Sequence, residues 1–347
     1  KTEVNTFPNE PFKSYFSGNT VQICPVGALT STSYRFKARP WDLKSTRSTC
    51  NGCPTGCSIE LNSSQNKMLR ILGVDNDAVN QGWMCDKGRY NFEYLNSDSR
   101  LKTPLKMMDN ELVEIEIQDI YSELTEFIKD RQTKVNFLLG SNLTNEDYVA
   151  FREFSKTISQ SESSFYLNDD LLYKGFFGDN IELAKINDLN SSDAIVVWAE
   201  DLKEKLPVLY LRIRQAVKNG VKLVVFGHTN ETLSDIADVF YGKDMVSENF
   251  EILKDLSKMK EINNLVVGKN ITAILGKSTP YQADESITKL FEFLNSNANS
   301  KVLNAYSKGN TYGAFQTLEN LKGLNDFVND ISKDNTDLLF IVGADPI

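Results

Sequence analysis

Cys50-Asn51-Gly52-Cys53-Pro54-Thr55-Gly56-Cys57, followed after 27 intervening residues by Cys85-Asp86-Lys87-Gly88-Arg89, is the stretch that decides what kind of chain this is. Four thiolates are what a cubane [4Fe-4S] cluster needs, one per iron. Three come from one tight loop and the fourth from a distant turn. Gly52, Pro54 and Gly56 sit between the first three, and Gly82 and Gly88 stand three residues to either side of Cys85. Glycine permits the backbone angles of a chain wrapping a cluster and lets N–H groups approach the sulfides. Structural zinc is the competing reading. Four-cysteine zinc sites usually pair two C-x2-4-C knuckles, whereas the second half here is a single cysteine. Unligated thiols are the third reading.

Outward from this stretch, cysteine usage sharpens the picture. All five cysteines fall within residues 24–85 of 347, and the long remainder has none. A secreted disulfide scaffold spreads its cysteines through a short chain. Clustering at one end is the pattern of metal ligation in a reducing compartment. Hydrophobic residues make up 41% and charged residues 24%, enough for a sizeable core, and the length suggests two or three domains. The net charge of −9, with a pI near 5.0, comes without a basic stripe, so nucleic acid is not an expected partner. No apolar run approaches the roughly 20 residues a bilayer requires, so membrane association is expected only through partners. Residues 1–10 carry no signal-peptide pattern. Both ends of the chain read as cuts.

Cys24 stands apart, in Ile23-Cys24-Pro25-Val26-Gly27-Ala28-Leu29. A Cys-Pro pair closing a cluster motif is typical of bacterial ferredoxins. One cysteine cannot hold a cluster, so its co-ligands would lie upstream of residue 1; the plain alternative is an ordinary buried cysteine. From about residue 103 the texture changes. Strands are expected at 135–139, 194–199, 221–226, 263–267, 271–275 and 338–342, with another at 68–74 in the cysteine-rich part. Helices are expected at 144–158, where Tyr148, Phe151, Phe154 and Ile158 recur at helical spacing, and at 207–218 and 286–294. Such alternation implies parallel, doubly wound α/β sheets.

Cys24-Pro25-Val26-Gly27-Ala28-Leu29, then Ala38-Arg39-Pro40-Trp41, then the four-cysteine motif and Cys85-Asp86-Lys87-Gly88-Arg89, resembles the large iron–sulfur subunit of NADH:quinone oxidoreductase, respiratory complex I. The likeness covers essentially the whole chain, with its specific motifs in residues 21–100. It implies three regions. Residues 1–40 are the C-terminal end of a ferredoxin-like iron–sulfur region. Residues 43–99 are a [4Fe-4S] domain of the Mo/W bis-MGD type. Residues 103–347 are a truncated, non-catalytic molybdopterin-oxidoreductase-like α/β domain. The implied fold class is therefore α/β, a small [4Fe-4S] domain followed by doubly wound domains. The resemblance implies a complete [4Fe-4S] cluster on Cys50, Cys53, Cys57 and Cys85, and a ligand of an upstream cluster at Cys24. A [2Fe-2S] cluster is implied only in the upstream part. In the family the four-cysteine cluster lies away from the main electron route, which implies a structural or ancestral role.

The Cys85-to-Arg89 segment also resembles molybdopterin enzymes such as formate dehydrogenase, in which the matching lysine sits between cluster and pterin. Lys87 is read either as a relic of that role or as a cation offsetting the cluster's charge. In catalytic members a Cys, selenocysteine or Ser ligates the metal after the first α/β unit. The corresponding residues 159–170 hold no Cys or His here, only Ser161, Ser163 and Ser164. Trp198-Ala199-Glu200-Asp201 ends a strand in carboxylates that would repel a pyrophosphate, while Gly227-His228-Thr229-Asn230 and Gly343-Ala344-Asp345-Pro346 remain compatible with one. Molybdopterin is therefore not expected. The only histidine, His228, reads as a loop residue. No P-loop or nucleophile elbow occurs. Phe176 and Phe177 read as core or interface. Trp41 and Trp83 flank the cluster motif and are expected to shield it, or else simply to pack.

The implied function is electron transfer in the peripheral arm of a proton-pumping NADH:quinone oxidoreductase, at the cytoplasmic face of a bacterial inner membrane. The implied partners are other peripheral-arm subunits, including the flavin- and NADH-binding one. This chain alone is not expected to turn over. An active molybdopterin oxidoreductase and a zinc-stabilised interaction module are the rivals.

Overall fold

Short polar strands and tight turns organise the cysteine-rich start of the chain. The computed structural model describes residues 7, 9, 12, 14–129, 134–158, 163–168, 182–199, 201–227, 232–242, 256–276, 299–333 and 336–345. Two compact units divide the chain: one comprises residues 1–92 and 172–309, the other 93–171 and 310–347. In the first, helix α1 (Ser17–Ile23) ends at Cys24. The Ser- and Thr-rich β1 (Lys44–Thr49) pairs antiparallel with β2 (Ser58–Ser64), and β2 with β3 (Lys67–Gly73). Gln65-Asn66 makes the β2–β3 turn with φ of 49° and 59°, the left-handed pair of a type I′ hairpin. Ile59 and Ile71 supply the buried face, and β1 stays exposed. Helix α2 (Asp86–Tyr90) follows Cys85 directly.

The second unit opens with a hairpin, β4 (Leu105–Met108) and β5 (Glu111–Glu114), turned by Asp109-Asn110, both at positive φ. Helix α3 (Ile117–Ile128) leads to β6 (Val135–Leu139), buried along its whole length. A strand covered on both faces can be apolar throughout, which is why this run does not alternate. Helix α4 (Asn145–Ile158) starts with a capping box: Asp147 N–H donates to Thr144 Oγ1 (3.2 Å), and Thr144 N–H to Asp147 Oδ2 (2.9 Å). Strand β7 (Ser164–Leu167) follows.

Returning to the first unit, the chain forms β8 (Glu182–Leu183), β9 (Ala194–Trp198), α5 (Leu202–Lys205), α6 (Pro207–Lys218), β10 (Lys222–Gly227), β11 (Val239–Gly242), α7 (Leu256–Val266), β12 (Ile271–Gly276) and β13 (Ser300–Ala305). The six strands make one parallel sheet in the order β11-β10-β9-β12-β13-β8. Alternate side chains of β9 face opposite cores. Val196 and Trp198 meet Ile262 and Val266 of α7, while Ile195 and Val197 meet Leu209 and Ile213 of α6. Cys53 packs at the edge of the α6 core. The strand expected at 263–267 is instead the end of helix α7. Its Val-Val pair suggests a strand locally, but Ile262 and Val266 are four residues apart and both buried, a helical face that prevails.

The second unit is completed by α8 (Thr311–Thr317), α9 (Leu324–Lys333) and β14 (Leu338–Val342). Its sheet, β14-β6-β7, is parallel. Phe137 at its centre stacks between Phe165 (5.1 Å) and Phe340 (5.2 Å). The helix expected at 286–294 lies outside the described residues. Among those described, no helix is long and apolar enough to cross a membrane.

Candidate metal centre

Antiparallel pairing brings the first three cysteines together. β1 ends just before Cys50 and β2 begins just after Cys57, with Thr49 opposite Ser58, so residues 50–57 form the loop of a hairpin. Cys50 N–H donates to Cys57 C=O across its base (2.9 Å). Gly56, at φ +63°, bends the loop, and its N–H reaches Cys53 C=O (3.3 Å). Cys85 caps α2 and completes the set.

The side chain of Asn80, which nothing in the spacing of cysteines points to, ties the segment of the fourth cysteine to that of the other three. Its Oδ1 accepts from the N–H of Ser58, next to Cys57 (3.0 Å). Its Nδ2 donates to the carbonyls of Val74 (3.0 Å) and Trp83 (2.9 Å), the latter two residues from Cys85. Asn80 is buried. Asn80→Ala removes these three bonds from half-buried backbone groups and is expected to cost about 1–2 kcal/mol, read as a lower denaturation midpoint.

All four thiols line one cavity of about 480 Å³, together with Met84, Gly88, Tyr90, Lys87 and, from the α/β layer, Lys205, Pro207 and Val208. Cys57 and Cys85 are buried and pack against Val208; Cys50 and Cys53 are half-buried, and none is in a disulfide. Among the described residues, no three His, Cys, Asp or Glu side chains gather tightly enough to hold a single metal ion. The sulfurs ring a space and do not meet at a point. Gly88 is required by that crowding: a Cβ there would lie 2.9 Å from Cys50 Sγ and 3.0 Å from Met84 Cε.

Burial pushes the Cys57 thiol far up, and the Cys53 and Cys50 sulfurs push it further. Burial also raises Cys50 and Cys85, against the N–H groups of Gly52 and Gly88, which pull them down. Deprotonating such a set requires a compensating positive centre, which a metal cluster supplies. The donor set, the cavity and the aimed N–H groups therefore fit an iron–sulfur cluster.

Cys24 lies elsewhere. It ends α1 and lines a separate cavity of about 410 Å³. The N–H of Leu29, joined by those of Ala28, Val26 and Gly27, holds its thiol below the usual range despite the opposing effect of burial. Lys87 does line the four-cysteine cavity, but its Nζ donates to Glu204 C=O and stands 3.9 Å from the Glu204 carboxylate. Trp41 and Trp83 do not shield the cysteines: they are 79% and 49% exposed, and Met84 and Val208 cover the cavity instead. Exposed tryptophans beside a motif are not distinguishable by sequence from buried ones.

Of the serines considered as metal ligands, Ser163 and Ser164 stand at the amino end of β7, away from the carboxyl ends where α/β sheets bind ligands. Ser161, His228, Glu200, Phe176 and Phe177 lie outside the described residues. Asp201 caps α5 by accepting from Lys203 N–H (2.9 Å) and Thr232 Oγ1 (2.8 Å). At the carboxyl ends of β9, β12 and β13, Ala199, Gly276 and Ala305 crowd together: a Cβ on Gly276 would lie 2.8 Å from that of Ala199 and 3.1 Å from that of Ala305. In the second unit, Gly140 ends β6 so close to Gly343 after β14 that a Cβ on it would sit 1.7 Å from the Gly343 oxygen.

Four clustered thiols accompany parallel α/β units in this chain. Residues 43–97 match the molybdopterin oxidoreductase Fe4S4 domain, residues 100–347 match molybdopterin oxidoreductase, and residues 1–30 match the ferredoxin-like domain of NADH-quinone oxidoreductase subunit 3. The chain belongs to the molybdopterin oxidoreductase family. It is 34% identical over 227 residues to an NADH-quinone oxidoreductase subunit of Mycobacterium bovis, covering 62% of this chain and 28% of that protein. It is 33% identical over 210 residues to NADH-quinone oxidoreductase subunit 3 of Thermus thermophilus, covering 59% and 26%. The chain thus spans less than a third of the length of these relatives. Acetylene hydratase from Pelobacter acetylenicus shares 12% identity at a TM-score of 0.49, over 75% of this chain and 40% of that one.

Proposed function

We propose that the chain is an electron-transfer component of an NADH:quinone oxidoreductase, holding one [4Fe-4S] cluster on Cys50, Cys53, Cys57 and Cys85 and lending Cys24 to a second. The observation that carries the reading is the ring of four thiols around a single cavity. A bound [4Fe-4S] cluster supplies one-electron redox chemistry. This chain's own residues do the rest. The four thiols anchor, Gly52 and Gly88 N–H groups stabilise thiolate charge, and Met84 and Val208 keep water out, which together tune the potential. Lys87 contributes positive charge at the rim. The likeness to NADH-quinone oxidoreductase subunits and to their ferredoxin-like domain supports the wider assignment.

On this reading the partners are the other peripheral-arm subunits, including the one that binds flavin and NADH, and the site of action is the cytoplasmic face of a bacterial inner membrane. Molybdopterin has no place in it. Among the described residues, the crowding of Gly276 against Ala199 and Ala305 and the approach of Gly140 to Gly343 support that reading. The test is to isolate the chain with its native partners and add NADH. The reading requires NADH-dependent quinone reduction and iron–sulfur electron paramagnetic resonance signals that appear on reduction. An assembly that ignores NADH and instead oxidises a small substrate at a molybdenum centre would replace it with the molybdopterin-enzyme alternative.

A further inference from the structure

Helix α6 carries a buried arginine among apolar neighbours. Arg212 is 3% exposed, and Leu209, Ile213 and Ala216 beside it are buried as well. A guanidinium out of water is costly unless hydrogen bonds take up its N–H groups. Backbone and amide oxygens do so here. Arg212 Nη1 donates to the carbonyls of Asp77 (3.0 Å) and Val79 (3.4 Å), and Nη2 donates to Asn187 Oδ1 (2.7 Å), on the short helical turn Ile186–Asn190. Its Nε is buried and makes no hydrogen bond. A buried charge is not in general a source of stability, and an apolar side chain of similar volume often serves a core as well. A core role therefore gives no reason for arginine at this position.

Its place on the helix gives one. The two carbonyls that it grips lie in the turn leading into Asn80, whose side chain joins the segments of Cys57 and Cys85. One turn back along the same face of α6, Val208 packs on Cys57 and Cys85 and lines the four-cysteine cavity. The helix thus meets the cysteine-bearing layer at two points, an apolar one on the sulfurs and a polar one on the backbone behind them. The apolar contact is small and non-directional. The three hydrogen bonds are directional and fix how that layer sits on α6.

We propose that Arg212 is a positioning residue for the four-cysteine cluster: by tying residues 77–79 to α6 it holds Val208 against the sulfurs and keeps water from them. The proposal rests on the reading that these cysteines hold a [4Fe-4S] cluster. The sign of a redox shift separates this role from a purely electrostatic one. The reduced cluster carries an extra negative charge, so water admitted to the cavity stabilises it and raises the midpoint. Loss of a positive charge acts in the opposite sense. Lysine keeps the charge but is a point donor, without the planar fork that spans the two carbonyls and Asn187.

The experiment is a redox titration followed by electron paramagnetic resonance on the chain isolated with its native partners. The signal missing from Cys57→Ala marks the four-cysteine cluster. Arg212→Gln and Arg212→Lys are both expected to raise the midpoint of that signal and to speed its decay in the presence of an iron chelator. Val208→Ala is expected to do the same, and its combination with Arg212→Gln to shift the midpoint no further than the larger single change, because the two act through one contact. A midpoint that falls in Arg212→Gln and stays parental in Arg212→Lys overturns the proposal in favour of a charge acting at a distance. An unchanged midpoint overturns it too, as do shifts that add to that of Val208→Ala. If Arg212→Gln does not accumulate, a parental midpoint in Arg212→Lys decides against it instead. Absence of any Cys57-dependent signal in the parent sinks the cluster reading itself, and such a signal indifferent to position 212 sinks only this inference.

Discussion

Replacing Cys57 with alanine is expected to empty the four-cysteine cavity, taking iron from about four atoms per chain to near none. Cys57 is 4% exposed and packs with Cys85 against Val208, so no solvent ligand can take its place without opening that contact. Its carbonyl also closes the hairpin by accepting from Cys50 N–H, and the alanine keeps that bond. The change therefore isolates the thiol. Visible absorption and iron analysis read the outcome. Cys24→Ala is the matched comparison: Cys24 lines a different cavity and should leave these four iron atoms in place.

The largest effect on stability is expected from Gly140→Ala. The new Cβ would fall 1.7 Å from the Gly343 oxygen and 2.4 Å from its carbon, and backbone atoms cannot step aside as a side-chain tip can. Relief requires parting β6 from β14, which breaks the bond from Gly140 N–H to Val342 C=O (2.8 Å) and disturbs the one from Tyr148 OH to Gly140 C=O (2.9 Å). Overpacking of this kind costs about 3 kcal/mol or more. Gly268→Ala provides the scale. That position has φ +70° and open space around a Cβ, so it carries only left-handed strain, about 1–2 kcal/mol. Denaturant melts that fail to separate the two variants would contradict the close approach.

Much of this was legible because its causes are local. Cys50, Cys53 and Cys57 are near one another by covalent spacing alone, and a chain with Gly52 and Gly56 between them can only form a tight loop. The runs at 135–139 and 194–199 announce buried parallel strands because both faces are covered, whereas 338–342 is an equally apolar run that stands half-buried at the edge of its sheet. What escaped depends on distant partners. Residues 263–267 pass for a strand until Ile262 is known to share a core with Val266. Val208 closes the cysteine cavity from more than a hundred residues away in sequence. Asn80 and Arg89 hold cysteine-bearing segments through hydrogen bonds whose other ends no local pattern reveals. Trp41 and Trp83 misled in the opposite direction, since adjacency to a motif does not establish which way a ring points.

The central claim is that four cysteines of this family member hold an iron–sulfur cube while its α/β units hold no pterin metal. Metal and acid-labile sulfide analysis of the 347-residue chain, prepared without oxygen, tests it most directly. About four iron and four sulfide per chain, with no molybdenum, tungsten or zinc, is the expected result. Stoichiometric molybdenum or tungsten would contradict the exclusion of the pterin, and a single zinc without sulfide would contradict the cluster.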